Sequence, residues 1–379
     1  MKKTITIILK IIMLILAGGL LAASFIVPRT NLITRGMANF YCENIFPRIS
    51  YLSNTICNFF FFSITETVIT LGIIIAIVLL VLFVVYFVKS IKKRKLPDYL
   101  LKVFTAVLLI ATFMSCTFQL MHGINYKRDT AARRLGLEVS KRDVEDLYKV
   151  QAWAYTEMII ARSQLGEDYN MVSHMMTSFP ETVYHANILL NTVNKEFDLG
   201  LSYNFVRAKP VMLSHYWSYT NIVGAYDPFL GESNINVDYT SPIDFPLTVC
   251  HELIHARGYA KEGDANFIAA IACTMSDRAD FRYAGYFEIF SSLCGILDNW
   301  SSFNSAEMRK VFLDLEATSI YWDSFKTGKV AEKVAEVSES TNNAFLESNG
   351  QEGGTDTYQV DSNLYVEFFY DYVLPEIEE

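Results

Sequence analysis

From Val68 to Val88 the chain runs for twenty-one residues without a charged side chain, in a stretch dominated by Ile, Val and Leu. A helix rising about 1.5 Å per residue crosses a hydrocarbon core of about 30 Å at that length, and a lone apolar span satisfies its backbone only as a helix. The segment therefore anchors the chain in a bilayer. Two further segments are expected to cross. Ile11–Val27 follows Lys2, Lys3 and Lys10 and lacks a clean small-residue cleavage close, so it fits a retained first helix, about residues 5–27, better than a removed leader. Val103–Met121 is softened by Thr105, Thr112, Ser115 and Thr117, whose hydroxyls can bond back to helix carbonyls.

Charge separates the chain into two parts. Residues 1–122 carry twelve Lys/Arg against three Asp/Glu, and residues 123–379 carry twenty against thirty-eight, giving +9 and −18. An acidic second part without a basic run repels phosphate backbones, so a nucleic-acid partner is not expected. Five positive charges fall between Lys89 and Lys95, which the positive-inside rule places in the cytoplasm together with the amino terminus. The expected organisation is a three-helix membrane domain over residues 1–122, with spans at about 5–27, 68–88 and 103–121. Residues 28–67 and the domain 123–379 are expected outside the cytoplasmic membrane. The six cysteines form no CxxC pair; Cys42 and Cys57 share one segment and are the two that an oxidising compartment would let pair.

Beyond Met121 the pattern is mainly helical. Val144–Ala161 repeats apolar residues at three and four, and Pro180–Phe197 opens another helix. Asn234–Tyr239 alternates polar and apolar residues and reads as a short exposed edge strand, a rail for an extended peptide.

The chemistry is concentrated in His251-Glu252-Leu-Ile-His255 and the residues after it. Histidines four apart lie one turn apart on a helix face and can reach one zinc ion, while the Glu beside the first can hold a water. Asp244 and Pro246 supply a start signal and Gly258 a stop, so the motif sits on a short helix. A catalytic zinc of this kind takes a third protein ligand and keeps one position open. Glu262, at the start of a second helix, is preferred on geometry over Asp264, which is shorter and lies off the face shared with Asn266. Asn266, one turn after Glu262, is expected to brace a histidine or the carboxylate, with Asp264 beside it.

The stretch HELIHARGYAKEGDANF resembles the gluzincin type of zinc-metallopeptidase signature, and its HExxH followed by ExxAN is similar to metallopeptidases related to the ImmA/IrrE family. Membrane helices, Asn125-Tyr126, the Pro228–Glu232 stretch, HELxHxRG and a Gly-rich turn before a Tyr follow in the order of a bacterial membrane family, domain of unknown function 3810. The resemblance implies a mainly α (α+β) zincin-like metallopeptidase domain on a multi-pass membrane anchor. This sequence departs from that family where Asp264 replaces a usual Glu, which leaves Glu262 as the preferred ligand.

These readings describe a zinc hydrolase with one Zn2+ held by His251, His255 and Glu262, Glu252 as general base, and a peptide or cell-envelope amide as substrate. Tyr283, Tyr286 and His215 are available as donors to the developing oxyanion, and no spacing selects among them. Arg257 and Lys261 read as solvated helix-end charges. The alternative is a catalytically silent metal-binding receptor or scaffold, which has no need of Glu252.

Overall fold

The structure is a computed structural model and describes residues 2–30, 32–139 and 142–378. It is predominantly helical with one small sheet. Three helices are long and apolar enough to cross a membrane: α1 (Lys2–Ile26), α4 (Ile64–Lys92) and α5 (Leu96–Met121). Two begin earlier than hydropathy alone indicates. Ser63 caps α4 by accepting from the Glu66 amide at 2.8 Å, and Pro97 in the first turn of α5 starts that helix before Lys102. Helices α1 and α5 are joined by polar contacts inside the apolar zone. Ser24 Oγ lies 2.6 Å from Ser115 Oγ, and the Thr112 hydroxyl lies 2.7 Å from its own helix's Leu108 carbonyl and 3.1 Å from the Ala17 carbonyl of α1.

The segment between the first two spans is helical. It forms α2 (Arg35–Phe40), a π turn (Tyr41–Ile45) and α3 (Phe46–Phe59), and it buries Cys42, Phe46, Ser50, Asn54 and Cys57 against the rest of the chain. Both cysteines are free thiols. Cys42 Sγ donates to Asn125 Oδ1 and Cys57 Sγ to the Leu230 carbonyl, so the two thiols are buried apart with separate partners. Lys209 docks the end of α3 by donating to the Cys57 carbonyl at 2.7 Å and to that of Phe60.

After α5 the chain forms α6 (Ala131–Arg134), α7 (Val144–Ser163) and α8 (Phe179–Phe197), then β1 (Lys209–Pro210), α9 (Ser214–Trp217), β2 (Gly224–Asp227) and β3 (Glu232–Ile235). The helices α10 (Phe245–Ala256), α11 (Glu262–Thr274), α12 (Ala279–Leu297), α13 (Ala306–Ser324), α14 (Lys329–Ser348), α15 (Ser362–Phe368) and α16 (Leu374–Glu378) complete it. The sheet order is β1-β3-β2, with β1 parallel and β2 antiparallel to β3. This corrects the strand expected at Asn234–Tyr239. The strand is Glu232–Ile235, it is central, and every residue in it is buried. Its polar side chains are not solvated but paired inside: Asn234 Oδ1 accepts from Ser63 Oγ at 2.6 Å. The edge strands are β1 and β2, and β2 is half-buried.

The core lies where α7, α10, α11 and α12 pack together, filled by Val150, Leu253, Ile268, Ile271, Phe281 and Phe290. Gly285 lets α12 approach α11 closely: a Cβ there would stand 2.7 Å from the Thr274 amide nitrogen. The close approach seats the C-terminal end of α11 on α12.

Candidate metal centre

Helix α10 carries the HExxH motif for purely local reasons. Pro246 fits the first turn, Asp244 takes the N-cap position without its side chain accepting a bond, and the helix ends where Arg257 N reaches the Leu253 and Ile254 carbonyls. Gly258 follows with φ of +109°, a conformation that side-chain-bearing residues resist, and a Cβ there would also press on Phe46. That turn returns the chain so that α11 opens with Glu262 facing the two histidines.

Three ligand atoms converge. His251 Nε2 and His255 Nε2 are 2.9 Å apart, and Glu262 Oε2 lies 3.1 Å from each. The three residues form a buried cluster of the kind that holds a metal ion. His255 Nδ1 lies 2.8 Å from the Tyr259 carbonyl, an acceptor only, so Nδ1 carries the hydrogen and Nε2 is the nitrogen that presents a lone pair once the ring is neutral. Two imidazole nitrogens and a carboxylate oxygen facing one another at such distances are arranged to share one cation, a metal ion or a proton. Burial opposes charge on both partners, yet mutual attraction wins: Glu262 raises His255 to about 9, and the two histidines hold Glu262 well below the usual carboxylate range. The donor set, one carboxylate and two imidazoles with a remaining side open to a cavity, fits a divalent ion such as zinc.

Glu252 stands beside this cluster. All four residues are buried, and burial pushes the Glu252 carboxyl up to about 6 against the pull of His251 and His255. Its Oε2 has no hydrogen-bond partner within the described residues. The other oxygen faces β2, where a Cβ on Gly224 would come within 2.6 Å of Oε1. The backbone carbonyl of Glu252 accepts from Ser233 Oγ at 2.7 Å, tying the motif helix to the central strand.

The cluster opens onto a cavity of about 1010 Å³. Its floor includes Gly224, Ala225 and Tyr226 of β2; its roof is α14, which turns Val334, Val337 and Phe345 towards the ligands. Tyr358, from the Gly-rich turn after α14, lies with its ring 6.1 Å from that of His251 and nearly parallel to it. The segment 349–358 is thus part of the site's wall.

Four more side chains stand at the centre: His122, which nothing in the sequence marks; Tyr126, which the sequence offers only through the family resemblance; Tyr226, which it offers as a candidate floor of the cleft; and Tyr358, which ends the Gly-rich turn it offers as a candidate lid. His122 directly follows α5. Its Nε2 lies 3.2 Å from Tyr126 Oη, its Nδ1 is buried without a partner, and burial pushes its pKa down to about 3. Tyr226 lies over His255 with a buried hydroxyl that also lacks a partner. The Asn125-Tyr126 pair after the last span was the available signal; nothing in the spacing tied it to a motif 125 residues away.

Other expectations fall elsewhere. Asn266 donates to the Tyr358 carbonyl at 2.6 Å, so it braces the wall and not a ligand. Asp264 accepts from the Ala131 amide at 2.9 Å and secures the start of α6. Tyr283 donates to Asp314, Tyr286 packs on Trp153, and His215 pairs with Asp238; none lines the cavity. Arg257 is fully buried rather than solvated, bonding Asn191 Oδ1 at 2.7 Å and Asn187 Oδ1 at 2.8 Å, and so bolts the end of α10 to α8.

Residues 41–365 match the model of a family described as a protein of unknown function, DUF3810. The chain belongs to this family. The match begins in the π turn ahead of α3, so it takes in the wedge between the first two spans as well as α4, α5 and the whole metal centre. Comparison with curated proteins and with solved structures gives no match.

Proposed function

We propose that the chain is a membrane-anchored zinc metallopeptidase of zincin-like type that hydrolyses a peptide or cell-envelope amide bond outside the cytoplasmic membrane. The observation that carries this reading is the convergence of His251, His255 and Glu262 with an unpaired oxygen of the buried Glu252 beside them. In it His251, His255 and Glu262 hold one zinc. Zinc bound there supplies Lewis acidity, polarising an amide carbonyl and bringing the pKa of water towards neutrality.

The chain's own residues supply the rest. Glu252 takes a proton from the attacking water and passes it to the leaving amine nitrogen; its raised pKa suits a group that must both accept and donate. The Tyr259 carbonyl fixes the tautomer of His255. The edge of β2 offers backbone groups to an extended substrate, and Gly224, having no side chain, leaves room for the Glu252 carboxylate beside that strand. Tyr226 and the His122–Tyr126 pair offer donors to the carbonyl oxygen. The basic run Lys89–Lys95 lies at the far ends of α4 and α5 from this domain, which supports a site on the outer face.

The test is cleavage of a quenched peptide library by the zinc-loaded full chain in detergent. Turnover is expected in the wild type and a loss of about 10²–10⁴-fold in Glu252→Gln. Absence of cleavage by fully loaded protein, or equal cleavage by Glu252→Gln, would contradict the reading and favour a metal-binding receptor.

A further inference from the structure

A second cavity, of about 960 Å³, lies between α1 and α5 where both helices leave the apolar zone. Its two halves differ in chemistry. The lower half is membrane-helix surface: Phe25 from α1, and Ala111, Met114, Ser115 and Phe118 from α5. The upper half carries Arg29, Lys127 and Lys261.

The first two cations are held in place by neutral groups. Arg29 donates to the Phe25 carbonyl at 2.9 Å and to the Ser348 carbonyl at 3.1 Å, and Lys127 Nζ donates to the Thr30 carbonyl at 2.7 Å. Carbonyl acceptors orient these cations without cancelling their charge. Glu352, exposed, is the one carboxylate among the described lining residues, so the upper half is net positive. Gln119 adds a buried Oε1 without a partner at the junction of the halves, an acceptor for a hydroxyl.

We propose that this cavity seats one anionic phospholipid of the phosphatidylglycerol class. An acyl chain lies on Phe25, Ala111, Met114 and Phe118, the phosphate meets Arg29, Lys127 and Lys261, and the glycerol head reaches Gln119. A free phosphate leaves the apolar half uncovered, and a zwitterionic lipid cancels the attraction by bringing its own cation to a cationic rim. The seat adjoins the metal cleft, since Phe345 of α14 lines both cavities and packs on Phe118. The proposal does not depend on the metal-centre reading.

The test is native mass spectrometry of the full chain released from mixed micelles containing phosphatidylglycerol and phosphatidylcholine with matched acyl chains. Wild type is expected to retain one phosphatidylglycerol in preference to phosphatidylcholine. Each cation is expected to contribute about fivefold to that preference. Lys127→Glu with Lys261→Glu, which turns the rim net negative, should abolish or reverse it, while Lys127→Arg with Lys261→Arg should keep it. Ala111→Trp, which fills the apolar half without altering charge, should abolish the one-lipid adduct. Equal retention of both lipids by the wild type, an undiminished preference in the double Glu variant, or an unaltered adduct in Ala111→Trp would overturn the proposal. Displacement of the adduct by millimolar glycerol 3-phosphate would overturn the lipid assignment in favour of a free phosphate-ester site.

Discussion

His122, the residue that follows the third membrane helix, sets its imidazole edge-on to that of His255, with ring centroids 6.1 Å apart. The end of a span is therefore part of the wall around the metal ligands. On the proposed function, His122→Gln should lower turnover by about 10²-fold, the scale of removing one donor to an oxyanion, while leaving zinc content unchanged. Steady-state kinetics beside metal analysis decides; full activity in the variant would remove His122 from the site.

Gly224 makes the same point from the sheet. A methyl group at this position would come within 2.6 Å of Glu252 Oε1, so Gly224→Ala has to displace the carboxylate. The variant is expected to keep its zinc and lose at least about tenfold in kcat, a split between binding and chemistry that kinetics with metal analysis resolves. A fully active variant would show that Glu252 is free to move without cost.

Zinc uptake should depend on pH with a definite sign. Without metal His255 is raised to about 9 and holds a proton at neutral pH, whereas Glu262, held low, is already ionised. Binding must release the His255 proton, so affinity should rise by about tenfold per pH unit from pH 6 to 8 and level off near the raised value. Competition titrations with a chelator at three pH values test this, and a pH-independent affinity would contradict it.

Much of the site was legible in the sequence because it is local. The HExxH helix, its stop at Gly258 and the return of Glu262 at the start of α11 all depend on neighbours in the chain. What the sequence did not disclose is long-range. Arg257 reads as a helix-end charge until Asn187 and Asn191, on α8, are seen to receive it. Asn234 reads as solvent-facing until Ser63, some 170 residues earlier, meets it. His122 reaches the centre only because the end of α5 comes up against α10. Periodicity reports burial of apolar faces and is silent about polar groups buried in pairs.

Glu232 links the sheet to the bilayer. Its carboxylate accepts from the amides of Thr65 at 2.8 Å and Ile64 at 3.3 Å, at the positive end of α4. Glu232→Gln replaces one acceptor oxygen with a donor facing those amides and should cost about 1–3 kcal/mol, read as a lower melting temperature of the full chain in detergent. Zinc content should not change. An unaltered melting temperature would show that β3 does not hold the start of α4.

Whether His251, His255 and Glu262 share one metal ion is decided by metal analysis by mass spectrometry on the purified full chain. About one zinc per chain is expected in the wild type and in Glu252→Gln, and loss of it in His255→Ala, as a three-ligand site with a separate general base requires. Folded wild-type protein that takes up no divalent metal, or a His255→Ala variant that retains it in full, would rule out the shared ion.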